Sequence, residues 1–349
     1  MGMILNIVMH AEKSHAGKAR VTVAAVIATV LLGACSSSQS VPSTTSSAPT
    51  TTSDDIPQVV VTHEVLGSIV REVAGDAVEV EVIIPNGKDP HDYEPSARDI
   101  ATMNSADIVV ANGENFEPAF KDILKGLVSD GKSVFFATEH VTLRQGSHDH
   151  DHDHDHEQAE DDQHSDEEDH SDEKVDEHGE YDPHFFTDPA TVSQLVPALA
   201  RALADVTGVS LVARVADAIS AFTAIDLAVR EKFNDLPTGA CKIVTGHESL
   251  GYLADRYDCE VIGVVIPSLS GLAEATAQDF AELVAAMKAE NVTALFVDEG
   301  TSTKVSDRIA AETGARVSAL PSHSVPSSGR YGDYVLSIAG AIVAGLSTS

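Results

Sequence analysis

PQVVVTHEVLGSIVREVAGDAVEVEVII, residues 57–84, is the stretch on which the fold turns. Its first apolar run, 58–62, is short, rich in Val and follows a proline, which reads as a buried strand rather than a helix. Apolar residues then recur at helical spacing over 63–74, and a second strand follows at 78–84. Strand, helical crossover and strand make the unit of a parallel sheet covered by helices. The alternation continues outward, with helices at 95–104 and 117–127 and strands at 107–111 and 133–137. Asp188-Pro189 opens another helix, with Asp as N-cap and Pro at the first helical position. It runs to about 205, and a further helical run, 210–234, is long enough to reach from one lobe to another. Beyond Pro237 the pattern resumes, with strands at 242–245, 260–265, 294–297 and 316–319. Helices are expected at 249–256, 273–290, 304–313 and from 332. The expected class is α/β: two parallel-sheet lobes, 57–187 and 237–349, joined by long, rigid linking helices within 188–236.

The flanking and inserted segments are of other kinds. Lys13, Lys18 and Arg20 precede an apolar run at 21–32 that ends in Leu32-Gly33-Ala34-Cys35. A bilayer span needs about 20 apolar residues, so this shorter run reads as an export signal. Residues 1–35 are expected to be a lipoprotein signal peptide, with Cys35 acylated and the chain anchored outside the cytoplasm. The long stretch before Lys13 makes Met9 a candidate start. Residues 36–56, almost wholly Ser, Thr, Pro and Ala in their first part, have the composition of a flexible tether. Residues 147–180 are nearly all His, Asp and Glu, with His148, His150, His152, His154 and His156 alternating with Asp, followed by His164, His170 and His178. Such a run buries nothing and is expected to be a disordered insertion in the first lobe.

Composition limits the function. A net charge of −33 argues against a phosphate-backbone partner, which needs Lys and Arg, although much of that charge is local and says little about the folded lobes. With 5% aromatics and no Trp, a stacking surface for sugars or single-stranded nucleic acid is also excluded. Cys241 and Cys259 stand near the starts of two strands. Outside the cytoplasm they would form a disulfide if those strands are parallel neighbours, and would otherwise be two buried thiols.

Ligands of open α/β sheets collect beyond the carboxyl ends of the strands. His91, His247, Asp298 and Glu299 follow strands, and His184 precedes the capped helix; all are good zinc ligands. Singly, each would pass for a solvated loop residue. The tripeptide Asp-Pro-His, however, occurs twice, at 89–91 and 182–184. Its Pro fixes the backbone, and an Asp nearby can accept the hydrogen bond that orients an imidazole. His63 reads as supporting or incidental, and His10, His15 and His140 carry no assigned role.

Four ordered segments add a resemblance: PNGKDPHDYEP (85–95), NGENFE (112–117), DPHFFTDP (182–189) and TGHESLGYLA (245–254). Together with the cysteine-ended signal, they resemble the zinc/manganese solute-binding lipoproteins of bacterial ABC importers, zinc-uptake branch, over essentially everything from Pro57 onward. The resemblance implies a metal site in the cleft between the lobes, with His91, His184 and His247 as ligands. His at 247, where manganese-type members commonly carry Glu, favours Zn(II) over Mn(II) as the transported ion. It also implies an ABC permease and ATPase as partners, a monomer, no catalysis, and a His-rich loop as an auxiliary metal collector. The family's fourth ligand, an Asp after the last strand, is missing here, where the chain reads Leu320-Pro321-Ser322-His323-Ser324. His323, Asp298, Glu299 or water could fill the place. The competing readings are a zinc hydrolase, with Glu248 or Glu299 as base, and an extracellular adhesin or metal buffer.

Overall fold

The apolar runs become two four-stranded sheets, each entirely parallel. The computed structural model describes residues 56–146, 181–269, 275–299 and 303–347. The expectations for the signal, Cys35, nearly all of the tether and the 147–180 segment with its eight histidines therefore lie outside the described residues. Among the described residues, no helix is long and apolar enough to cross a membrane.

The first sheet holds β1 (Gln58–His63), β2 (Glu79–Ile84), β3 (Ile108–Ala111) and β4 (Val134–Phe136), in the order β2-β1-β3-β4. The second holds β7 (Lys242–Thr245), β8 (Glu260–Val264), β9 (Ala294–Asp298) and β10 (Arg316–Leu320), in the order β10-β9-β7-β8. Read from the opposite edge, the second sheet has the topology of the first. Central strands covered on both faces must be apolar throughout, and β3 and β9 are buried along their whole length. α1 (Glu64–Ala74) buries Val65, Leu66, Ile69, Val70 and Val73, the stripe expected of a helix lying on a sheet.

Local chemistry sets the helix ends. α2 (Ala97–Ser105) begins with a capping box between Ser96 and Asp99. The expected helix at 117–127 opens instead as a 3-10 turn, Pro118–Phe120, before α3 (Lys121–Ser129). α4 (Pro189–Thr207) starts as expected, with Asp188 accepting from the amides of Ala190 and Thr191. After it come α5 (Val212–Phe233), α6 (Gly251–Tyr257), α7 (Ala277–Ala289), α8 (Lys304–Thr313) and α9 (Tyr331–Ser347). A small antiparallel pair, β5 (Arg144–Gln145) with β6 (Tyr181–Asp182), has no counterpart in the sequence reading.

One apolar core runs through both lobes. It joins Val59 and Ile69 of the first lobe to Leu199 of α4, Phe222 of α5, Ile338 of α9 and Phe296 of the second sheet. Two smaller clusters seal the outer faces, around Met103 and Phe120 and around Met287 and Ile309. The lobes are also stitched through their loops. Asn86 donates to the Val325 carbonyl and accepts from the Val325 amide, both at 2.8 Å. The Gly87 amide donates to the His323 carbonyl at 2.9 Å. Replacing Asn86 with alanine is expected to cost about 1–3 kcal/mol, because two half-buried backbone groups lose their partner. Denaturant unfolding of the metal-free protein measures it.

Candidate metal centre

The two sheets present their carboxyl ends to the same space. In each order there is one switch point, where neighbouring strands send their crossovers to opposite faces and leave a crevice. In the second sheet it falls between β7 and β9. His247, two residues beyond β7, places Nδ1 2.9 Å from Oδ2 of Asp298, the last residue of β9. In the first it falls between β1 and β3, where Nε2 of His63 lies 3.4 Å from Oδ1 of Asn112. His91 comes from the loop after β2, and His184 from the turn between β6 and α4.

His91, His184 and His247 are all buried, and one ring nitrogen from each lies within 4.8 Å of the others. Among the described residues this is the one cluster of three or more His, Cys, Asp or Glu side chains placed so closely. Nε2 of His91 and Nε2 of His184 face each other at 3.2 Å. A tetrahedral zinc with Zn–N bonds of 2.0–2.1 Å requires nitrogen separations of about 3.3–3.4 Å, so this pair already has the spacing. Nδ1 of His184 lies 2.9 Å from Oδ1 of Asp182. A carboxylate on Nδ1 fixes the proton there and leaves a lone pair on Nε2. His184 and His247 share that arrangement. Nε2 of His247 and Nδ1 of His91 are buried without a hydrogen-bond partner. An unpaired buried polar atom costs about 1–3 kcal/mol, which a coordinated ion would remove at Nε2 of His247.

The electrostatics favour the neutral ring at His91 and His63 and the charged one at His247. Burial, reinforced by His184, His247, His323 and His63, holds His91 well below the usual imidazole range. Burial likewise pushes His63 down to about 3. For His247 burial also opposes the charged ring, but the attraction of Asp298 outweighs it and the pKa rises. Asp298 is held far below the carboxylate range: burial opposes ionisation, and His247, His323 and the Ser322 hydroxyl overcome it.

The other candidates fall into distinct places. Asp298 bonds His247 with one oxygen and accepts from Ser322 with the other, so it orients the His247 ring. Glu299 is exposed. His323 is buried beside the cluster, its ring 6.2 Å from that of His91 and 6.4 Å from that of His247, nearly parallel to the latter. Its Nε2 makes no hydrogen bond and lies 3.7 Å from Oδ1 of Asp89. A cavity of about 10 Å³ lies between His323 and His63, enough for roughly one water. His140 stacks on Phe135. Cys241 and Cys259 form a disulfide with Cα atoms 4.7 Å apart, brought together where Lys242 of β7 pairs with Glu260 of β8.

The two Asp-Pro-His tripeptides act differently. Asp182 takes both the amide and Nδ1 of His184 on Oδ1, whereas Asp89 takes the His91 amide and turns toward His323. The role of Phe116 is absent from the sequence reading. Gly113, Glu114 and Asn115 have φ of 93°, 49° and 56°, a left-handed run that turns Phe116 under the rings of His63, His91 and His184. A Cβ on Gly113 would lie 2.2 Å from the Thr138 hydroxyl. The Asn-Gly pair followed by a second Asn is the signal for such a turn, since these residues tolerate positive φ.

Residues 59–344 match the family described as "zinc-uptake complex component A, periplasmic". The chain belongs to that family. It is a family of solute-binding components of metal importers, not of enzymes. The chain is 27% identical over 303 residues to the high-affinity zinc uptake system protein ZnuA of Bacillus subtilis, covering 83% of this chain and 84% of that one. It is 27% identical over 270 residues to the zinc-binding protein AdcA of Streptococcus pyogenes, covering 75% of this chain but spanning only 50% of AdcA. Among solved structures, the periplasmic zinc-binding protein TroA of Treponema pallidum superposes with a TM-score of 0.67 at 22% identity, covering 83% of this chain and 99% of TroA. That likeness establishes the two-lobed fold. Solved proteins of the same fold include manganese and nickel complexes, so the fold does not select the metal.

Proposed function

We propose that the chain captures Zn(II) between its lobes on His91, His184 and His247 and passes it to the permease and ATPase of an ABC importer. It acts as a monomer outside the cytoplasm, tethered through a lipid on Cys35. The carrying observation is the convergence of three buried imidazole nitrogens, two of them on rings backed by carboxylates. Nitrogen donors suit zinc, whereas manganese and magnesium prefer carboxylate, carbonyl and water oxygen. His323 is the fourth ligand: its Nε2 is buried and without a hydrogen bond, on a ring 6.2 Å from that of His91. The histidines from 148 to 178 act as an auxiliary collector of weakly held, exchangeable ions.

Competitive metal titration of the purified chain tests the reading. One zinc is expected to bind at least a hundredfold more tightly than manganese; equal or tighter manganese binding would refute the zinc assignment. His323→Ala is expected to weaken the tight site about tenfold, the scale of losing one supporting interaction of a metal centre, and to speed release. An unchanged affinity would put water in the fourth position.

A further inference from the structure

One cation touches both the carboxylate behind His184 and the opposite lobe. Arg144 of β5 lies opposite Asp182 of β6. Its amide donates to the Tyr252 hydroxyl at 2.8 Å, and its Nε donates to Asp255 Oδ2 at 2.8 Å, both on α6 of the second lobe. The Tyr252 hydroxyl in turn donates to the Asp182 carbonyl at 2.9 Å. Nη1 of Arg144 stands 3.8 Å from Oδ2 of Asp182. That oxygen is buried and makes no hydrogen bond, while Oδ1 is committed to His184. Gly251 leaves the room: a Cβ there would come within 2.6–2.8 Å of the guanidinium atoms.

A buried carboxylate bonded through one oxygen is costly unless a charge lies against the other. A guanidinium can meet it because its planar fork serves two acceptors at once. Here the fork spans Asp255, 66% exposed on one lobe, and Asp182, 1% exposed behind a metal-site histidine. We infer that Arg144 is a positioning residue for metal capture, holding Asp182 in line with His184 and making that alignment depend on contact with α6. The inference rests on the zinc-centre reading. It goes beyond it in tying one ligand's orientation to a contact with the other lobe.

The test compares zinc affinity and release rate in the full chain and in its Arg144→Met, Arg144→Lys, Asp182→Asn and His184→Ala variants. Arg144→Met is expected to bind zinc about tenfold more weakly, because loss of an outer partner of a metal ligand costs 10–100-fold. The loss should appear in release rather than association, and Arg144→Lys should recover part of it. The Met variant should also melt below the parent, since it leaves Oδ2 of the buried Asp182 without a facing charge, and Arg144→Lys should recover part of that loss as well. If Arg144 acts through Asp182, the Arg144→Met and Asp182→Asn losses are not additive. Parental affinity and release in Arg144→Met, or additive losses, would overturn the inference. Should Arg144→Met fail to fold, Arg144→Lys with Asp182→Asn carries the same additivity test. Unchanged zinc binding in His184→Ala would instead remove the zinc centre itself.

Discussion

Replacing His184 with alanine is expected to weaken zinc binding about a thousandfold, roughly 4 kcal/mol, while deleting residues 147–180 leaves the tightest site in place. His184 is the ring whose Nε2 already meets that of His91 at 3.2 Å, and its Nδ1 is anchored by Asp182. Alanine removes the donor and also strands the Asp182 carboxylate, which is 1% exposed and, among the described residues, would keep Arg144 alone within ion-pair reach. His91, His247 and His323 would remain, but the facing Nε2 pair of His91 and His184, whose spacing already suits a tetrahedral ion, would be lost. His91→Ala and His247→Ala should behave alike. The His/Asp run is proposed as a different kind of binder, an auxiliary collector of weakly held, exchangeable ions. Its deletion should lower the number of weakly bound ions and leave the high-affinity step of a chelator-competition titration unchanged. If that step survived His184→Ala and vanished with the deletion, the principal site would belong to the run.

How much of this was legible in advance depended on how local its cause is. Strands β1, β3, β7 and β9 could be read because a sheet covered on both faces needs apolar residues at consecutive positions. The start of α4 could be read because Asp188 and Pro189 carry the cap themselves. β5 and β6 could not, since two residues have no period, and they are held by contacts with Tyr252, 108 residues from Arg144 and 70 from Asp182. The same division runs through the site. His91, His184 and His247 follow strands or precede a capped helix, and the resemblance of their segments to known binding proteins named them together. Asp298 could be placed at the end of a strand, but its bond to His247 depends on β7 and β9 being neighbours, a non-local fact. Asp89 and Asp182 occupy identical tripeptides, yet only Asp182 reaches its histidine's ring, because His323 stands beside the other.

Asp298→Asn is expected to cost 10–100-fold in zinc affinity at pH 8, and to cost less as the solution is acidified. The first effect is orientation: an amide can still accept a hydrogen bond from Nδ1 of His247, but without the charge that makes the ring a stronger donor to metal. The second follows from the sign of the shift. In the metal-free protein the attraction of Asp298 outweighs burial and raises the His247 pKa above 6.5, so protons compete with zinc there earlier than at an ordinary imidazole. Affinity therefore falls as pH drops through the raised value. In Asp298→Asn burial acts unopposed by that carboxylate, the pKa moves down, and less of the variant's affinity is lost in the same window. Stability should move in the complementary sense. A raised histidine pKa contributes stability that is fully present below the unfolded value of about 6.5 and is lost as pH rises through the folded one. The depressed Asp298 contributes above its unfolded value of 3.8 and loses it only as pH falls toward the folded one. The charged pair therefore supports the metal-free fold most strongly between these limits. Chemical unfolding of the metal-free parent and Asp298→Asn at pH 5.5 and 8.5 should show the larger gap at pH 5.5. A gap independent of pH would mean that His247 and Asp298 are not coupled as charges, and only the orienting role of Asp298 would stand.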